Sequence, residues 1–418
     1  MFTAIQQART AWMRERLDVI SDVHVLVSSF DERAGAVAKD CLDCVMCLDD
    51  AVRSSLCRDH VFSHWIDDLR RLALKLAYAG SGRTELGEVT SVLNLMRLSV
   101  SALGGCDFEF ALAAPLPQTL LLPVSGLHAA IPLFASDEEV RCRYRHDSGD
   151  IVVGDRRFAL SRFSSARSIK IVDRYFECFS ESGGDGYSIA WDVNIDPERW
   201  TPALAAAVDL IQSDDTASDL VSSFVSYIVP LRQTEVTVNL SFSARSLPNV
   251  VFKNNELTPF LVGETLVHEA DHQFFYAIEG GVDFWNSKPT HQQATYLSPW
   301  RDDPRPLDGI LRGLSSFARV SAYYSNALRT AVSSDNEREA VGAMLLRRLR
   351  ESEVALATLR ASGQLSECGN AYVDEMSEAL DSANRMVTRF PQYDVWRSVA
   401  DSCIADHRDR WKRNNESR

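Results

Sequence analysis

From Phe2 to about Ser101 the apolar residues return every three or four positions, and Ala8–Val27, Val61–Ala79 and Glu88–Leu103 each read as an amphipathic helix. Past Gly104-Gly105 the rhythm changes. Residues 106–195 carry short apolar runs (LLLPV, DIVVGDRRFAL, YSIAWDVNI) punctuated by Gly and Pro, and the glycines at 149 and 154 predict turns flanking a short strand. Helical spacing returns over Pro202–Ile211 and Ser218–Val229. Extended runs follow at Glu235–Phe242 and Asn249–Phe252, with Lys253 to Asn255 read as a solvated turn.

The next segment predicts a well-marked helix. Thr258-Pro259 suits an N-cap and first helical position, since proline lacks only an N–H that would be orphaned there. Gly280-Gly281 supplies a stop that tolerates a left-handed helix end. A polar, Pro-rich loop over 282–306 leads to a helix from Leu307, and further helices are predicted over 334–362, 369–390 and 393–413. The pattern predicts an α+β chain, predominantly α. It divides into a helical region 1–104, a mixed β-containing region 105–230 and a region 231–418 that holds the marked helix and a helical tail.

Composition narrows the function classes. The 418 residues are 45% hydrophobic and carry a formal charge of −14, which argues against nucleic acid as a partner. The stretch 111–134 is broken by four prolines and predicts no membrane span. The N-terminus lacks the apolar run of a signal peptide, so a cytoplasmic chain with reduced thiols is expected. Cys41, Cys44 and Cys47 are spaced C-x-x-C-x-x-C, but they lie at helical intervals among Leu, Val and Met and read as packing residues, not cluster ligands. The Tyr323-Tyr324 pair and the Phe274-Phe275-Tyr276 run read as core.

The marked helix carries the chemistry. Within ETLVHEADHQFF (264–275), His268 and His272 are one turn apart and share a face, which makes two neutral imidazoles half of a metal site with Glu269 at its edge. A zinc peptidase of the extended type needs Gly and His where this chain has Phe275 and Ile278. The class that takes a glutamate from a following helix finds none between Gly280 and Asn336. Asp283, His291, Asp302, Asp303 and Asp308 remain as downstream ligands. Two histidines and a carboxylate with open positions is the pattern of non-haem Fe(II) oxygenases. Downstream, YLSPWRDDPRP (296–306) packs two arginines, two aspartates, a tryptophan and three prolines into a stiff loop, where Arg301 and Arg305 suit a carboxylate grip.

The helix motif ETLVHEADHQ followed by SPWRDDPRPLDGILRG resembles the HExxH-type peptide-modifying proteins of bacterial ribosomal-peptide gene clusters, a family associated with 2-oxoglutarate-dependent peptide β-hydroxylation. FVSYIVPL (224–231), SARSLPNVVF (243–252) and LRASGQLSECGNAYVDEM (359–376) extend the likeness more weakly over the last half of the chain. The resemblance implies Fe(II), 2-oxoglutarate and O₂, with a precursor peptide hydroxylated at a side-chain β-carbon. His268 and His272 would anchor iron, and Arg301 or Arg305 would neutralise the distal carboxylate of 2-oxoglutarate. Glu269 would support the ligands by hydrogen bonding, whereas in a Zn(II) peptidase it would be the general base. Many family members carry His or Gln where this chain has Arg312. Arginine stays protonated and does not ligate metal, which leaves Asp303, ahead of His291, as the expected third ligand and Arg312 as a further carboxylate partner. A non-catalytic peptide binder with a decayed metal site is the remaining alternative.

Overall fold

The computed structural model describes residues 2–79, 83–112, 119–122, 127–130, 140–173, 195–231, 240–279, 281–287, 296–332 and 334–415. The chain is α+β and predominantly α. It opens with five helices, α1 (Phe2–Ser28), α2 (Glu32–Met46), α3 (Asp50–Arg58), α4 (His60–Ala79) and α5 (Arg83–Leu103). Asp31 and Asp49 cap α2 and α3 by accepting backbone N–H groups of the first turn, which satisfies donors that the helix itself leaves open. Cys41 is buried in α2 while Cys47 is exposed at its end, so the cysteine triplet runs from the core to the surface and gathers no ligand set.

Short strands follow: β1 (Phe108–Leu112), β2 (Thr119–Leu121), β3 (Leu127–Ala130), β4 (Val140–Arg145), β5 (Asp150–Val153), β6 (Arg156–Ala159), β7 (Ser161–Arg162), β8 (Ser165–Ala166) and β9 (Ile169–Ile171). DIVVGDRRFAL forms the β5–β6 hairpin, turning at Gly154 with φ of 62°. The YSIAWDVNI run lies almost wholly outside the described residues. After α6 (Pro197–Ile211) and α7 (Asp215–Phe224) come β10 (Tyr227–Leu231), β11 (Ser241–Phe242) and β12 (Val250–Asn254). The helix expected to reach Val229 stops at Phe224, because the β-branched and aromatic YIV run joins a sheet.

That five-stranded sheet, ordered β11-β12-β10-β9-β8, is the wall between two cores. Its alternating side chains divide cleanly. Ile228 and Val251 face a core built with the C-terminal helices, and Tyr227, Val229, Val250 and Phe252 face one built with the N-terminal helices. Pro230 is tolerated inside β10 because β9 pairs only with Tyr227 and Ile228, so the missing N–H falls beyond that partner. The boundary expected at 230/231 cuts through β10, which pairs in parallel with β12.

Lys253 and Asn254 are not in a solvated turn. They lie in β12, between β10 and β11, and Lys253 is fully buried, its ammonium pushed down to about 8 by burial. Polar residues in a short run signal a turn only when the strand they belong to has an exposed face, and β12 has none.

The C-terminal half is α8 (Pro259–Ile278), α9 (Leu307–Thr330), α10 (Asp335–Ser362), α11 (Glu367–Val387) and α12 (Tyr393–Asn415). A reciprocal capping box, Ser334 with Glu337, starts α10. Thr258 precedes α8 without capping it; its hydroxyl donates to Glu256 instead, at 2.6 Å. Tyr323 and Tyr324 are buried as expected. Among the described residues no helix is long and apolar enough to cross a membrane.

Burial pushes the thiols of Cys41 and Cys142 up to about 12 and that of Cys57 to about 11. Alkylation of the native protein at pH 8 is therefore expected to modify exposed Cys47, Cys106 and Cys368 and to spare these three until denaturant is added. Peptide mass mapping checks this. Native labelling of Cys41 as fast as Cys47 would refute the packing of α2.

Candidate metal centre

Almost every face of α8 is buried, so its polar side chains must find partners inside the protein. Glu264 accepts from Tyr324 Oη at 2.6 Å and from Arg348 Nη2 at 2.6 Å and Nε at 3.0 Å. Gln273 donates to the carbonyls of Ala244 and Leu247. Glu269 accepts one hydroxyl on each oxygen, Ser241 Oγ and Ser243 Oγ, both at 2.8 Å. Burial lifts the Glu269 carboxyl to about 7, and the two serines work against that rise.

His268 and His272 stand edge to face with ring centroids 4.5 Å apart. Burial lowers His268 to about 3, helped by the charge of Arg348, and drives His272 well below its usual value, helped by His268 and Arg312. Both imidazoles are therefore neutral, the form a metal requires. The tautomer of His272 follows from its neighbour on α9. Ser316 Oγ gives its one hydrogen to Asp271 Oδ2 at 3.1 Å, so it accepts from Nδ1–H of His272 at 3.2 Å. Nε2 is left with its lone pair free. Nδ1 of His268 is buried with no hydrogen-bond partner.

A stack of rings backs the pair. Phe317 lies 4.7 Å from His268, Trp300 stacks on Phe317 at 5.1 Å, and the Arg348 guanidinium sits 4.4 Å over Phe317. The close approach of Trp300 depends on Gly313, where a Cβ would clash with the indole ring.

One cavity of about 540 Å³ is lined by His268, Glu269 and His272 together with Arg301, Arg305, Arg312 and Arg348. The structure thus brings six of the seven residues singled out in the sequence to one place. Asp303 is the exception. Arg301 Nε donates to its Oδ1 at 3.0 Å, and Arg305 Nε is 3.0 Å from its Oδ2. Partial desolvation raises the Asp303 carboxyl, but the Arg301 bond and the charge of Arg305 outweigh it and hold the group below its usual value. Asp303 is over half exposed and orients the two arginines; it does not join the histidines. Among the described residues no group of three His, Cys, Asp or Glu side chains is placed to hold a metal. His291 lies outside the described residues.

Arg312 projects from α9 beside His272, where it reaches Asp308 Oδ2 at 3.1 Å and Glu279 Oε2 at 3.3 Å and lies 5.7 Å over the Tyr276 ring. Asp308, another downstream carboxylate, is therefore held by Arg312. Asp302 meets His407 of α12 at 3.4 Å, while His407 Nε2 lies 2.7 Å from the Ser298 carbonyl, so the last helix pins the arginine loop at two points. The bridge between Tyr296 and Arg305 closes the loop.

Several contributors escaped the sequence reading. Tyr276, grouped with two core phenylalanines, lines the cavity. Glu264 stands four residues before His268, a helical interval that placed it on the same face. Ser241 and Ser243 alternate on one side of an extended segment, a signal present but weak. Arg348, on a helix far along the chain, carried no signal. No protein-family model matches the chain, and no curated protein matches it.

The donor set fits a divalent metal at two positions, through neutral imidazoles of which one has a fixed tautomer. Removing the group that orients a ligand costs about 10–100-fold in metal affinity, and Ser316→Ala is expected to fall in that range for Fe(II) or Co(II). Gly313→Ala forces Trp300 from its stack and is expected to cost about 1–3 kcal/mol, read as a lowered thermal midpoint.

Proposed function

We propose that the chain is an Fe(II)- and 2-oxoglutarate-dependent oxygenase that hydroxylates a side-chain β-carbon in a ribosomally made precursor peptide. The observation that carries this reading is the single cavity shared by two neutral, buried imidazoles and four arginines, a metal half-site facing a surface made for a carboxylate. The sequence resemblance of the same helix and loop supplies the reaction class.

In this reading His268 and His272 hold the iron, which when bound supplies the oxidising chemistry that replaces C–H by C–OH at the expense of 2-oxoglutarate and O₂. The protein's own groups do the rest. Arg301 and Arg305, kept in fixed directions by Asp303, meet the distal carboxylate of the co-substrate. Arg312, near His272, offers a further cation in the same cavity. Glu269, tied by Ser241 to β11 and by Ser243 to the residue just after it, supports the helix next to the ligands, and both of its oxygens are already engaged, which disfavours the general-base role a Zn(II) peptidase needs. Trp300, Phe317 and Tyr276 add aromatic surface to the cavity lining.

A second reading rests on Arg312. With a cation beside His272 and no third ligand among the described residues, the cavity also suits an anionic peptide segment held without metal chemistry.

Anaerobic reconstitution with Fe(II) followed by 2-oxoglutarate is expected to give a visible charge-transfer band that His272→Ala abolishes. Absence of the band with tight zinc retention and 2-oxoglutarate-independent peptide cleavage would sink the oxygenase reading in favour of a peptidase. Arg312→His is expected to tighten Fe(II) binding, read by metal titration, by adding an imidazole on α9 near His272. Peptide affinity that is indifferent to both His272→Ala and Fe(II) supports the metal-free binder.

A further inference from the structure

A second cavity, of about 310 Å³, opens on the other side of the molecule's central sheet system, among the α3–α4 junction, the β7–β9 segment and the end of α7. It shares no lining residue with the metal cavity. In a chain with net charge −14, its wall carries four basic side chains and one acidic one, with serines at five further positions.

The charges differ in how far they are already used. Arg58 donates to the carbonyls of Ser54 at 3.0 Å and Ser223 at 3.4 Å, closing helix ends that would otherwise present bare oxygens. Asp59 accepts from Tyr227 Oη at 2.8 Å and from the Val61 N–H at 2.9 Å, so both its oxygens are engaged. Lys170 is different. It projects from β9, part-buried, with its ammonium 4.6 Å over the Tyr227 ring, and no hydrogen bond or ion pair joins it to an oxygen among the described residues. Burial lowers its pKa, and the charge of Asp59 on the same wall works against that shift without forming an ion pair with it. Arg162, exposed on β7 at the rim, likewise has no ion-pair partner among the described residues.

The backbone gives an independent sign. Ala166 pairs with Ile169, so β8 and β9 are joined by the two-residue turn Arg167-Ser168. Arg167 sits in that turn at φ of 56°, a left-handed position that favours Gly or Asn. A long basic side chain held there keeps strain that Gly would relieve, and strain of this kind concentrates at binding sites. Its guanidinium is oriented at the pocket wall by Asp209, at 2.6 Å and 3.1 Å.

We infer that this cavity binds a phosphoryl group, as inorganic phosphate or as the phosphate of a small monoester, with Lys170 and Arg162 as its principal cations, Arg167 at the mouth and Ser165 and Ser226 as hydroxyl donors. A compact tetrahedral oxyanion matches a small, half-open pocket lined by ammonium, guanidinium and hydroxyl groups. An acidic peptide would need an extended groove.

The test is the thermal midpoint of the full-length chain against rising orthophosphate, and separately glycerol phosphate, at ionic strength held constant with chloride. A saturable rise is expected, with an apparent Kd at least tenfold weaker in Lys170→Met. Arg162→Gln, at an exposed position, repeats the measurement should Lys170→Met fold poorly. A stronger response to glycerol phosphate identifies the monoester as the natural form, and an equal or weaker one identifies the free ion. Because the other cavity also holds arginines, Arg301→Gln/Arg305→Gln must leave the response intact. A response lost in that variant, matched by chloride alone, or unchanged in both Lys170→Met and Arg162→Gln overturns the assignment. None of these outcomes bears on Fe(II) or 2-oxoglutarate binding, so the two proposals stand or fall separately.

Discussion

The need to satisfy polar groups on an almost wholly enclosed helix organises the C-terminal half of this protein. α8 is buried on nearly all sides yet carries Glu264, Thr265, His268, Glu269, Asp271, His272 and Gln273. An unpaired polar group in such a place costs about 1–3 kcal/mol, more when charged, so each one constrains a neighbouring element. Glu269 draws in β11 and the residue just after it through two serines, Gln273 the loop after β11, Asp271 and His272 the middle of α9 through Ser316, and Glu264 both α9 and α10. Among the described residues, Thr265 Oγ1, His268 Nδ1 and Asp271 Oδ1 have no hydrogen-bond partner, though Asp271 Oδ1 lies 3.8 Å from Arg319 Nε. The His268 ring itself lines the cavity, while its Nδ1 is buried.

The arginines obey the complementary rule. Each one at the cavity is anchored by a carboxylate behind it: Arg301 and Arg305 by Asp303, Arg312 by Asp308 and Glu279, Arg348 by Glu264 and Glu351. Anchoring lowers the cost of holding four cations around one space, since each keeps about one opposite charge close by. It also fixes direction. A guanidinium presents several donors, so one edge can satisfy the anchor while another faces a ligand. This is why Asp303 serves the site without joining the histidines. Its two oxygens are each committed to an arginine, and a carboxylate so engaged is a poor ligand.

Local signals made the helices and the site legible. The boundaries of α8 and α9 follow from Pro259 and Leu307, and the one-turn interval of His268 and His272 is a property of the helix alone. The arginine loop was visible because prolines and charges are concentrated in eleven residues. Long-range facts were not. Lys253 looked solvated because nothing in KNN reveals that β12 has neighbours on both edges and a layer on both faces. Val225–Val229 looked helical because apolar spacing at a short run does not distinguish a helix end from a buried strand. Asp303 was ranked as a ligand on proximity in sequence, whereas the loop turns its carboxylate onto its own arginines.

The central sheet also answers how the first half of the chain relates to the second. β10 and β12 are buried at every position, which a strand achieves only when both faces are covered. One face belongs to the core of α8–α12, the other to the core of the N-terminal helices, and Asn249 reaches across to the carbonyl of Arg58 at the end of α3. The N-terminal helices therefore form part of the same folding unit. Without them Tyr227, Val229, Val250 and Phe252 would face water on the sheet whose edge strand, β11, holds Glu269. The helical region at the start of the chain supports α8 from behind, through the layer of strands and by direct packing of α1 against it, so the geometry of the candidate site depends on it as well as on the loop that faces the cavity.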